Sequence, residues 1–135
     1  DPMQRDEFLK KVQDYSGLDS EAEALQMTEI FLATLGEWVY RTEANKLSAQ
    51  LPAEFQDFMF KQQDPEQVRG QTVHLPLEEF YNRIKSRADV RFKEAQDRAR
   101  STARVLAEAV SPGALEPVLQ ELPEDFRQLF TAVSS

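Results

Sequence analysis

One histidine and no cysteine stand among 135 residues, so the side chains most often used for catalysis and metal binding are nearly absent. No thiol nucleophile, disulfide framework or cysteine-ligated zinc or iron–sulfur centre can be built, and the usual two- and three-histidine metal sites are excluded as well. His74 lies just before Leu75-Pro76, but no motif supplies the nucleophile or orienting carboxylate that a general base requires. It is expected to be a solvated or locally hydrogen-bonded imidazole. Carboxylates are the other candidates. Glu7, Glu23, Glu29, Glu37, Glu94 and Glu108 recur on helical segments, yet the Glu-x-x-His pair that helical metal proteins place on facing helices does not occur. These glutamates fall mostly away from the apolar stripes and read as a solvated surface. The glycines, at 17, 36, 70 and 113, are too scattered to cradle a phosphate. No catalytic, cofactor or metal residue is expected, and the chain is not expected to be an enzyme.

Charge is more informative. Sixteen basic against 24 acidic residues give a net charge of -8, which repels nucleic-acid backbones and anionic headgroups. From Arg83 to Arg104, however, eight basic residues meet three acidic ones, a net of +5, leaving -13 for the remainder. At 100° per residue, Phe92, Ala95, Ala99, Ala103, Leu106 and Val110 share one narrow face. Lys93, Arg100 and Arg104 flank it on one side, Arg91 and Arg98 on the other. The stretch Ser20–Tyr40 carries Glu21, Glu23, Glu29 and Glu37 and no basic residue. The basic stems are therefore expected to border the core and pair with the acidic half, inside the chain or across a homodimer. Arg91, Lys93, Arg98, Arg100 and Arg104, with Trp38 and Tyr40, form the candidate interaction surface. Core packing is expected to absorb most of the aromatic set Phe31, Trp38, Tyr40, Phe58 and Phe60. Any part left exposed would offer a partner surface or an apolar ligand pocket. No aromatics are spaced for base stacking, which disfavours nucleic acid further.

The elements that position these residues come in two copies. Thr34–Phe60 and Val105–Thr131 align at an offset of 71, pairing Leu35 with Leu106, Glu37 with Glu108, Val39 with Val110, Leu51-Pro52 with Leu122-Pro123, and Phe55 with Phe126. Upstream, Asp6-Glu7-Phe8-Leu9 with Val12 matches Glu78-Glu79-Phe80-Tyr81 with Ile84 at an offset of 72. A unit of about 60 residues buries only about 60% of its surface alone, which favours one interlocked bundle. Apolar spacing and stop signals predict a helix ending at Ser16-Gly17, a long helix over 20–40, a short one over 43–50 and a proline-initiated one over 52–60. In the second copy the helices fall at 77–86, 91–110, a segment ending near Glu121, and 123–132. Pro117 is expected to delay the third helix to Glu116 or Pro117, or to leave a separate turn before it. Residues 61–76 read as a linker, extended over Thr72 to Leu75. No hairpin signal appears. The expected fold is all-α, a compact single-domain bundle of 1–135, with repeat one 4–60, the linker, and repeat two 77–132. Its core should rest on Phe8, Val12, Phe31, Leu35, Leu51, Phe55, Phe80, Ile84, Leu106, Val110, Leu122, Phe126 and Leu129.

The doubled unit resembles the prokaryotic family catalogued as domain of unknown function 2267 over Phe8 to Phe130. The resemblance rests on the Phe-Leu-x-x-Val first helix, Leu35 to Glu37 (LGE), Ser111 to Gly113 (SPG), and the closing motifs QLPAEF (Gln50 to Phe55) and ELPEDF (Glu121 to Phe126). Trp38-Val39-Tyr40-Arg41-Thr42 stands where the family pattern leads one to expect a more polar turn. The resemblance implies a small helical bundle in bacteria and no activity, substrate or catalytic residue. The charged opening DPMQRDEFLKKV lacks a secretory signal, and Asp1-Pro2 ahead of Met3 reads as a cloning remnant. Ile30–Gly36, the most apolar run, spans seven residues against the roughly 20 a bilayer requires. The expected setting is the cytoplasm, away from membranes. The expected function is a non-enzymatic protein-binding or adaptor role, the alternative being a small apolar or acidic ligand held between the repeats.

Overall fold

The computed structural model describes residues 2–63 and 74–131. Within them every regular element is helical: α1 (Arg5–Ser16), α2 (Glu21–Leu35), α3 (Arg41–Ala49), α4 (Leu77–Ala88), α5 (Phe92–Ala109), α6 (Pro112–Glu121) and α7 (Arg127–Thr131), with short 3₁₀ turns at Ala53–Phe55, Phe58–Phe60 and Glu124–Phe126.

Local chemistry explains where the helices begin and end. Gly17 closes α1 in the left-handed conformation, φ 71°. Its N–H and that of Leu18 donate to the Gln13 carbonyl, which satisfies a terminal acceptor. Ser20 then caps α2: its hydroxyl accepts the Glu23 N–H at 3.1 Å, while Glu23 reaches back to accept the Asp19 N–H at 3.2 Å. In the second half Asp89 closes α4 at φ 56°, and α5 starts after Arg91 with no side-chain cap. Ser111 caps α6 through the Ala114 N–H, with Pro112 in the first helical position.

Element boundaries follow the offset seen in the sequence. Gly17 corresponds to Asp89, Ser20 to Arg91, Tyr40 to Ser111 and Pro52 to Pro123. α1 lies against α2 and α5, α4 lies against α5 and α2, and α3 and α6 pack on each other. The 58–60 turn covers α2 and α7 covers α5. The long helices thus sit in the middle, and the buried side chains form one continuous cluster. All the core residues expected from the sequence are buried. Ala95, Ala99 and Ala103 are fully enclosed on α5.

Several boundaries differ from expectation. The long helix predicted to run to Tyr40 stops at Leu35. From there the chain tightens into i→i+3 turns, with Glu37 N–H donating to the Thr34 carbonyl and Trp38 N–H to that of Leu35. Gly36 makes this close, since a Cβ there would lie 1.8 Å from the Met59 carbonyl oxygen. The closing segment expected as a helix over 52–60 is two 3₁₀ turns, and its counterpart is one 3₁₀ turn followed by α7. α6 begins at Pro112 rather than late, with Pro117 inside it. The bond Pro117 cannot make falls to the Gly113 carbonyl, and both residues are exposed, so that acceptor lies on the solvent side of α6. Of the stretch read as extended, Thr72 and Val73 lie outside the described residues, as does Ala132, while His74 and Leu75 form an exposed turn.

Candidate functional site

The charged groups divide into those engaged between the halves and those left outward. Glu37 follows α2 with its side chain only 13% exposed, and it is not part of a solvated surface. Its Oε1 accepts from Arg83 Nη1 at 2.7 Å and its Oε2 from Arg87 Nη1. Arg87 also donates to Thr34 Oγ1 at 2.7 Å, and Arg83 donates to Glu79 at 2.8 Å while its guanidinium lies over the Trp38 ring. Burial works against the Arg83 cation, but the Glu79 and Glu37 carboxylates outweigh it and hold its pKa above the ordinary value.

Glu108, the counterpart of Glu37, receives Lys11 Nζ at 2.8 Å, the Tyr15 hydroxyl at 3.0 Å and Arg104 Nε at 3.3 Å. Its side chain is 32% exposed. Partial burial pushes this carboxyl up, yet the hydrogen bonds from Lys11 and Tyr15 outweigh it, leaving it below the ordinary value. Lys11 and Tyr15 lie 72 positions before Arg83 and Arg87, so each half's first helix clasps the glutamate at the end of the other half's long helix.

A second set of matched contacts joins α3 and α6. Ser111 N–H donates to Gln50 Oε1 at 2.6 Å, and Gln50 Nε2 donates to Ser111 Oγ at 3.2 Å. At the corresponding positions Tyr40 N–H donates to Glu121 Oε1 at 3.1 Å. Burial raises the Glu121 carboxyl to about 7; the Tyr40 N–H opposes this and nearby Glu43 reinforces it. Sequence reasoning missed Lys11, Tyr15, Gln50 and Glu121 as structural partners, whereas Arg83 and Arg87 join Glu37 as the expected pairing of the basic stretch with the acidic half. The offset could have found the missed ones, because these positions match pairwise.

The candidate interaction surface is only partly realised. Trp38 does not contribute to it: it is fully buried among Phe80, Phe126 and the Arg83 stem, with its indole N–H donating to the Leu75 carbonyl at 2.8 Å. Tyr40, Phe58 and Phe60 are half-buried and Phe31 is enclosed. Among the described residues no α5 cation pairs with an α2 carboxylate. Lys93 pairs with Asp97, Arg98 with Glu94 and Arg104 with Glu108, all one turn apart on α5. Arg104 does cross to the first half, its guanidinium 3.9 Å from the Tyr15 ring centre. Arg100 is half-buried with its Nε enclosed. Arg91 and Lys93 are exposed, as is Lys85 on α4.

Two hollows are relevant to ligands. One, between α2, α4 and α5, is lined by Glu23, Gln26, Met27, Ile30, Ala88 and Arg98 and measures about 30 Å³, room for a water rather than a metabolite. The other is an open depression beside Glu124, Asp125, Arg127 and Gln128. Among the described residues no three His, Asp or Glu side chains gather to hold a metal, and no helix is long and apolar enough to cross a membrane.

The family model described as uncharacterized conserved protein (DUF2267) matches residues 5–129. The chain belongs to this family. That match spans every helix from α1 to α6 and reaches into α7, so the DUF2267 region includes both glutamate clasps and the α3–α6 joint. No curated protein matches the chain.

Proposed function

We propose that the chain is a non-catalytic binding module of the cytoplasm, built from two copies of one helical unit in a single domain, that engages an acidic protein partner through the corner where α4 meets α5. The observation that carries this reading is Arg91. It occupies the N-cap of α5 without a side-chain cap bond, where an exposed cation opposes the helix dipole and an oxygen-bearing side chain is preferred. Ser20, at the corresponding place, makes that cap. A local rule broken without a compensating contact is expected at functional positions. Lys85 and Lys93 are exposed nearby along the chain, whereas Arg83 and Arg87 are engaged with Glu37.

Support for a non-catalytic role is that Glu37 and Glu108, one matched pair of carboxylates, are engaged in clasping the halves together. A protein partner fits better than nucleic acid, because no aromatics are spaced for base stacking beside these cations. A second copy of the chain remains an outcome of the test.

The test compares wild type with the triple variant K85Q/R91S/K93A. Expected results are a partner, or a dimer on gel filtration, retained by wild type, released by roughly 0.5 M salt as screening demands, and lost by the variant at low salt. Equal retention by both proteins would overturn the assignment of this corner.

A further inference from the structure

The two α3–α6 joints differ in one respect that changes their chemistry. Gln50 meets Ser111 with an amide, which accepts through Oε1 and donates through Nε2 at once. Glu121, in the matching position, accepts the Tyr40 N–H through Oε1, while its Oε2 is buried and meets no donor. Tyr40 is the N-cap of α3, and Glu43 sits in the first turn of that helix with its carboxyl beside Glu121. A protonated glutamic acid has the shape and hydrogen-bonding pattern of glutamine, one acceptor and one donor. An ionised one leaves a buried oxygen without a donor next to a second negative charge, which is costly.

We propose that Glu121 acts as a pH-sensitive fastener of the α3–α6 joint, closed while its buried carboxyl holds a proton and loosened when it ionises. In the closed form the proton sits on the buried Oε2 while Oε1 continues to accept from the Tyr40 N–H. Loss of that proton to water leaves the helix N-terminus as the remaining favourable contact.

Among the described residues no charged group on the elements around the joint supplies a donor to Glu121 Oε2. α3 carries Arg41, whose guanidinium lies over the Phe60 ring, and exposed Lys46. On α6 Glu116 pairs with Arg127 of α7. In the 3₁₀ turn packed on α6, Asp125 accepts the Leu77 N–H and Glu124 is exposed. Lys61, beyond the turn packed on α3, pairs with Glu29. Glu43 is the group whose charge bears on Glu121, and burial with that charge places the Glu121 carboxyl at about 7, inside the range where cellular pH varies.

The proposal is independent of the partner-binding reading and is tested without a partner. The Glu121 side-chain carbon is followed by NMR across the pH range, with hydrogen exchange at the Tyr40 amide corrected for intrinsic rate. The expected midpoint lies well above the ordinary glutamate value, with Tyr40 protection falling about tenfold or more from roughly pH 5.5 to 8.5, one pK unit of coupling being tenfold. E121Q should hold Tyr40 protection constant over this range, since an amide makes the same contact without a titrating proton. E43Q should move the Glu121 midpoint toward acid. A Glu121 midpoint near 4.5, or a wild-type exchange profile that E121Q reproduces, would overturn it.

Discussion

Glu37 and Glu108 occupy matched positions, yet removing them should cost very different amounts of stability. Glu37 is 13% exposed and its two arginine partners 23% and 29%. Glu108 is 32% exposed, as is Lys11, and Arg104 is 44% exposed. Breaking a buried pair by removing one partner costs about 3–5 kcal/mol, whereas an exposed pair contributes roughly 0.2–1 kcal/mol. Glu37→Ala strands two half-buried guanidinium groups, so its cost should lie between the exposed and fully buried cases, about 2–4 kcal/mol. Glu108→Ala leaves Lys11 and Arg104 free to turn toward water and should cost about 1 kcal/mol. Urea unfolding measures both, and Trp38, the chain's one tryptophan, reports the transition because it is fully buried. The midpoint should fall far more for Glu37→Ala, with the slope unchanged. Truncating Arg87 on top of Glu37→Ala should add little, since both act in one network. A cost for Glu37→Ala equal to or below that of Glu108→Ala would refute the argument that burial sets the worth of these clasps.

Other substitutions test the backbone. Gly36→Ala drives a methyl into the Met59 carbonyl and should destabilise by about 2 kcal/mol or more by calorimetry, because backbone has to move. Gly17→Ala meets no atom within 4 Å, so it should cost only the left-handed conformation, about 1 kcal/mol. Asp89→Gly relieves the same conformation in α4 and should raise the thermal midpoint. Acid should weaken the Glu108 clasp. A carboxyl held below its unfolded value contributes stability that is present above that value and is lost as pH falls through the folded one. The drop in unfolding midpoint from about pH 5 to 3 should therefore be smaller in Glu108→Gln.

The helical class and core were legible in the sequence because apolar spacing records burial directly, and the offset fixed which elements correspond. Helix type at the ends was not. Leu51-Pro52 and Leu122-Pro123 announce a chain restart, but whether a restart closes i→i+3 or i→i+4 bonds depends on what packs against it. The end of α2 was hidden because Trp38 and Val39 continue the helical spacing, while the close approach of Gly36 to Met59 is a tertiary fact. Trp38 was named in the candidate surface although core packing was expected to absorb most of the aromatic set, and the Arg83 stem that covers it lies 45 positions away. Charges were harder still. The sequence gives their signs, but one turn of helix decides whether an arginine finds a carboxylate on its own helix, as Arg98 does, or across the bundle, as Arg87 does.

If the halves are copies of one unit, the positions where they differ are where selection for something besides folding shows. Lys85, Arg91 and Lys93 correspond to Gln13, Ser20 and Ala22, so the first half already demonstrates that those residues suit the same helices. K85Q/R91S/K93A therefore substitutes residues with a precedent in the same fold. Each site is exposed, and the expected change from the lysines is within about 0.5 kcal/mol. Arg91→Ser goes further, since Glu94 stands three residues on as Glu23 does after Ser20. The substitution restores a capping arrangement and should stabilise α5 by roughly 0.5–1 kcal/mol. A variant that melts higher and binds less cannot owe its lost binding to unfolding. Should it melt lower, the premise that Arg91 is kept at a cost to stability fails, and with it the observation on which the proposed surface rests.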